Sequence, residues 1–177
     1  MSSGSIVDGA QDFIGAKTFQ AGNSSAQHNS AGVVSAQVVS TGNSADQTED
    51  ILQTFSLPAN ALSANGKGVR IRAWGTTAAN ADNKQVKVYF GASTFATGVA
   101  AANAKDWHVD LTVFRTGAST QTILGQGNFN ASAVPPVVSA GANDETTALT
   151  IKCTGQDSSA NTANAIVCKA MIVEFLN

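Results

Sequence analysis

The sequence predicts an all-β protein: an eight-stranded antiparallel β-sandwich of jelly-roll type, carried behind an extended N-terminal arm. Three observations predict it. Apolar and polar residues alternate strictly along several runs, which marks strands with one buried and one wet face. β-Branched residues dominate these runs, and no capped 3.6-residue period competes with them. Between the runs stand Gly, Asn and Pro at turn positions, spaced as in a sandwich or barrel.

Residues 1–32 read as the arm and 33–177 as the sandwich. The arm is Ser, Gly, Ala, Asn and Gln with a few apolar beads: Ile6, Val7, Phe13, Ile14 and Phe19. Such a segment cannot bury enough apolar area by itself to offset its ordering entropy. The beads are therefore expected to anchor it on a partner, each large apolar side chain contributing ~1.5–3 kcal/mol when buried.

Strands follow in order. Val33 to Val39 is the first and Ile51 to Leu57 the second, stopped by Pro58. The third runs from Val69, after an Asn65-Gly66 turn and Gly68. Here Val69, Ile71 and Ala73 point inward and Arg70, Arg72 and Trp74 outward. In the fourth, Val86, Val88 and Phe90 alternate with Lys87 and Tyr89. Trp107 to Arg115 is the fifth, with Trp107, Val109, Leu111 and Val113 inward. A Thr116–Ser119 turn leads to the sixth, Thr120 to Phe129, where Gly125 and Gly127 signal a bulge or a close backbone approach. Residues 92–104 and 130–145 read as loops, the second a crossing loop containing Pro135-Pro136. Thr146 to Thr154 and Ala165 to Leu176 complete the count. The last strand is apolar on both faces, which places it centrally or at an interface. Long crossing connections favour a jelly roll over a meander, with an immunoglobulin-like sandwich as the competing topology.

The outward set Arg70, Arg72, Trp74, Lys87 and Tyr89 reads as one aromatic-basic face, too aromatic for plain solvent. It is expected to be an interface, or a glycan-binding face with Trp74, Arg70 and Arg72 at its centre.

Composition excludes several function classes. Charged residues make up 12% of the 177 residues and the formal net charge is -2, a poor match to nucleic-acid binding. No apolar stretch approaches the ~20 residues that span a bilayer, and Met1-SSGS has no basic start or apolar run. A soluble protein made in a cytosol is expected. The two cysteines, Cys153 and Cys168, sit in apolar strands and read as buried thiols, their pairing left open. Asp106, His108 and Asp110 share a strand face, but residues two apart stand ~6.5–7 Å from each other, too far to share one metal ion. No nucleophile, phosphate-loop or metal-protease motif occurs, so neither an enzyme nor a cofactor is expected.

The words LPANALSANGKGVRIRAWGT and NKQVKVYFG resemble a segment of small structural proteins of tailed bacteriophages, of head-decoration or fibre-knob type. The resemblance implies a jelly-roll sandwich, a place in the virion, no catalytic residues, and assembly as a homotrimer. Two functions follow from it. The first is a head-decoration (cement) protein whose arm holds the major capsid protein or another virion protein. The second is a tail-fibre or spike knob that binds a host-surface glycan.

Overall fold

A computed structural model describes residues 32–159 and 162–176. Among them there is no helix, and two antiparallel sheets pack as a sandwich. The strands are β1 (Gly32–Gln37), β2 (Thr41–Gly42), β3 (Glu49–Leu57), β4 (Gly68–Thr77), β5 (Asn83–Phe90), β6 (Ser93–Ala96), β7 (Ala100–Ala101), β8 (Asp106–Gly117), β9 (Thr120–Phe129), β10 (Ser132–Gly141), β11 (Leu149–Asp157) and β12 (Ile166–Phe175). The large sheet has the order β1-β12-β4-β8-β9-β10, with β2 also beside β12. The small sheet has the order β3-β11-β5-β6, with β7 also beside β5.

Alternation sets the core. Val69, Ile71 and Ala73 of β4 and Trp107, Val109, Leu111 and Val113 of β8 face Val86, Val88 and Phe90 of β5 and Ile151 and Cys153 of β11, all buried. The residues expected inward on the Val69, Val86 and Trp107 strands are buried, whereas the valines of the Val33–Val39 strand stand exposed. Gly66 takes the left-handed φ of +86° that its turn requires. Gly68 does not. Its missing side chain instead makes room for the Phe114 ring, 2.5 Å from where a Cβ would stand.

Among the described residues twelve strands stand where eight are expected, and the differences have physical causes. The crossing loop expected at 130–145 holds a ten-residue strand, β10. Pro135-Pro136 argued against a strand because proline cannot donate to a ladder. Here β10 lies at the sheet edge, and its pairing with β9 shifts register between Val134 and Val137, so the bulge absorbs both prolines. The loop expected at 92–104 holds β6 and β7, too short to show a period. β11 starts at Leu149 rather than Thr146, because the Asp144 carboxylate accepts from the Thr146 amide (3.0 Å) and hydroxyl (2.6 Å) and holds a turn there.

The closing strand β12 is central, between β1 and β4, but it is not two apolar faces side by side. Its register shifts between Cys168 and Ala170, with Lys169 bulging outward. The bulge switches the alternation, so Ile166 and Cys168 before it and Met171 and Val173 after it all enter the same core.

Two polar devices hold the loops. In the first, the buried Gln121, Asn143 and Glu145 join β9 to the chain leading into β11. The Gln121 amide donates to the Asn143 carbonyl (2.8 Å) and the Glu145 carboxylate (2.5 Å), and the Asn143 side chain binds Ala92 N (2.8 Å) and Ser93 Oγ (3.0 Å). In the second, the Lys84 side chain is fully buried, and its ammonium donates to the Asn80 carbonyl and side-chain oxygens and to the Asp82 carbonyl (2.9 Å). Lys84 thus fixes the 78–82 connection, which carries the chain from β4 in the large sheet to β5 in the small one.

Candidate functional site

That crossing corrects the single aromatic-basic face. Arg70, Arg72 and Trp74 lie on the outer side of the large sheet, and Lys87 and Tyr89 on the outer side of the small sheet. Trp74 and Tyr89 are not a cross-strand pair. Outward residues of consecutive strands share a face only across a hairpin, and nothing in their alternation distinguishes a hairpin from a crossover.

On the large sheet, register assembles two rungs on one face. Trp74 stands opposite His108, and His108 opposite Asn128; Arg72 stands opposite Asp110, and Asp110 opposite Gln126. Arg72 Nε donates to Asp110 Oδ1 at 2.9 Å. With Arg72 half exposed, this pair contributes little stability. Its effect is to hold two hydrogen-bonding side chains beside Trp74, whose indole is 38% exposed. Arg72, Ala73, Trp74, His108 and Asp110 line a shallow groove of about 270 Å³. Arg70 lies further along the same face, opposite Glu174 of β12 and Thr112 of β8. The arrangement offers one flat apolar surface flanked by planar donors and acceptors. Asp106, His108 and Asp110 are not gathered further: among the described residues no three His, Cys, Asp or Glu side chains stand close enough to hold a metal ion.

The small-sheet residues are already engaged. Lys87 Nζ meets Glu49 Oε2 at 2.5 Å, and the Tyr89 hydroxyl donates to Glu49 Oε1 at 2.6 Å. Lys152, opposite Tyr89 on β11, places its ammonium 4.4 Å from the ring centroid. With ring and hydroxyl both occupied, Tyr89 is a structural residue of this face rather than a free platform.

Glu49 titrates accordingly. Burial works to raise its pKa, but the hydrogen bonds from Lys87 and Tyr89 and the Lys87 charge outweigh it and bring the value from 4.5 to about 2. Tyr89 is pushed up to about 12, by burial first and then by its hydrogen bond to Glu49 and that carboxylate's charge. A depressed carboxylate stabilises the fold fully above its unfolded value and loses that contribution as pH falls through the folded one. Glu49→Gln is therefore expected to cost about 2 kcal/mol at pH 7, and the gap to the parent should close as pH drops from about 4.5 toward 2. Urea titrations of both chains across that range check this. A gap independent of pH would contradict it.

The anchor residues Ile6, Val7, Phe13, Ile14 and Phe19 lie outside the described residues. Sequence reasoning did not find Glu49 as the partner of Lys87 and Tyr89, nor His108 and Asp110 as the flank of Trp74. Only strand register brings these together.

No protein-family model matches the chain, and no curated protein matches it. Among solved structures, the CBM2 module of the evolved Dit protein of Lactobacillus casei BL23 phage J-1 aligns over 68% of this chain and 67% of that one, with 8% identity and a TM-score of 0.37. At that distance no residue and no activity carries over to this chain.

Proposed function

We propose that this chain is a non-enzymatic structural protein of a phage particle, a homotrimer that decorates the head and stabilises the capsid. The observation that supports assembly is the apolar character of both edges of the large sheet. Around β1, Val33, Val38 and Val39 are exposed by 56%, 71% and 76%, and on β10 Val137 and Val138 by 51% and 74%. Edge strands normally carry charge to discourage pairing, and these carry valine. The strand order supports the jelly-roll reading, running first–eighth–third–sixth in one sheet and second–seventh–fourth–fifth in the other. Taking β1, β3, β4, β5, β6, β8, β11 and β12 as the eight gives that order, with β9 and β10 appended at the edge. This supports the sequence resemblance to virion proteins. The major capsid protein, or another virion protein, is the partner the reading implies, with the 1–32 arm as attachment element. Neither nucleic acid nor membrane enters it.

The test is sedimentation of the full chain beside Val137→Glu/Val138→Lys. The parent should sediment as a trimer at micromolar concentration, and the variant should dissociate at concentrations at least tenfold higher without loss of its folded spectrum. A parent that stays monomeric, or a variant that stays trimeric, ends the assembly proposal. Electron microscopy of particles labelled for the protein then decides between head and tail.

The second reading, a knob that binds a host-surface glycan, is favoured by the Trp74 groove. A sugar ring stacks on an exposed indole while its hydroxyls meet Asp110, Arg72 and His108. Trp74→Ala should abolish retention on host cell-wall polysaccharide while leaving the melting temperature within about 2 °C, since the indole lies outside the core. Equal retention of parent and variant would remove this reading.

A further inference from the structure

We propose that Cys153 and Cys168 form a covalent modification site: a latent disulfide that links the two sheets through the core. Both are free thiols and fully buried. Cys153 lies on β11 of the small sheet and Cys168 on β12 of the large one. These strands approach each other at a bare position. A Cβ on Gly155 would stand 3.2 Å from Ile166 Cβ, and Cα atoms of the two strands come within 8 Å, closer than the ~10 Å at which sheets usually stack. Two residues along each strand from that contact are Cys153 and Cys168, which places both buried thiols on facing strands, near enough that each shifts the other's pKa. A disulfide needs Cα atoms ~4.4–6.8 Å apart, a span reached only where sheets come this near. Cys168 Sγ also lies 3.3 Å from the Ala170 carbonyl, so the β12 bulge fixes its direction.

The pair is chemically unequal. The Cys153 hydrogen bond holds the Cys168 pKa below the ordinary thiol value, with burial opposing and the Ala170 and Trp74 backbone assisting. The same bond, together with burial, raises Cys153. Once the sandwich opens that contact is lost and either thiol can attack first; the balance is the same in either order, as with Cys168 leading. With a low-molecular-weight disulfide such as oxidised glutathione, the Cys168 thiolate attacks one glutathione sulfur. That S–S bond breaks, and one glutathione leaves as a thiolate that takes up a proton. Cys153 then gives up its proton and attacks Cys168 Sγ, releasing the second glutathione. Two protein thiols are oxidised by two electrons, and one glutathione disulfide is reduced to two thiols.

Both sulfurs are sealed from solvent, so oxidant reaches them only while the sandwich is open or still closing. In reducing cytosol the pair stays a dithiol. In an oxidising medium each opening is an occasion to lock the sheets together. This inference does not depend on where in a particle the protein sits.

The experiment unfolds the full chain and refolds it in a buffer of reduced and oxidised glutathione. Intact mass should fall by about 2 Da, the loss of two hydrogens, with the Cys153 and Cys168 peptides joined in the digest. The oxidised form should melt roughly 10 °C above the same chain reduced, as expected for closing a loop of this size in a small domain. Cys153→Ser refolded in the same buffer should show neither this mass loss nor the joined peptides. Two alkylatable thiols after oxidative refolding, a stable adduct on the parent chain, or an oxidised form that melts lower would each overturn the proposal.

Discussion

Asn143→Ala is expected to lower the melting temperature by roughly 10 °C, more than any surface change in this protein. The Asn143 side chain is 4% exposed and makes three contacts at once: it accepts from Ala92 N at 2.8 Å and donates to Ser93 Oγ at 3.0 Å and Gln121 Oε1 at 3.1 Å. Alanine removes all three and leaves the Ala92 amide without this acceptor. An unsatisfied buried group costs about 1–3 kcal/mol, so the sum is about 3 kcal/mol after relaxation. Because Gln121 and Glu145 share the network, Gln121→Ala should cost a similar amount, and the double variant should cost clearly less than the two together. Thermal melts of the four chains check both points. A drop under about 2 °C for Asn143→Ala would mean that water replaces the side chain without penalty.

Gly125→Val is expected to disturb the same β6–β9 side of the sandwich by a comparable amount. A Cβ at Gly125 would stand 2.2 Å from Phe95 Cδ2, closer than any real contact, and the ring itself is buried. Phe95 of β6 thus packs on the bare backbone of β9 and ties the rim of the small sheet to the large one. A valine must expel the ring. Overpacking costs about 1–3 kcal/mol, and exposing the Phe95 ring adds to it. Phe95→Ala in the same chain should recover part of the loss, because the clash disappears while the burial does not return. If the double variant is less stable than Gly125→Val alone, the ring is not what the glycine accommodates.

These two sites also show which parts of the fold were legible in the sequence. The alternation of Val69-Ile71-Ala73 and Val109-Leu111-Val113 announced strand, face and core at once, because period two is a local property. Gly125 announced close approach but not its partner, since Phe95 lies in a run too short to carry a period. Asn143 and Glu145 read as loop residues because polar side chains are buried only when satisfied, and their partners come from β9 and the chain before β6. The candidate face was half legible. Arg70, Arg72 and Trp74 share the outer side of β4 as alternation requires. Alternation alone groups Lys87 and Tyr89 with them, because sheet membership is set by the crossover at 78–82, whose polar residues look the same in a hairpin.

The Lys84 ammonium sits in a ring of loop oxygens, an arrangement that many extracellular proteins complete with calcium. Here the cation is covalently tethered to the chain. The loop between the sheets therefore keeps its organiser at any dilution and in the presence of chelators. Its shape is thereby decoupled from the mineral content of the surrounding water.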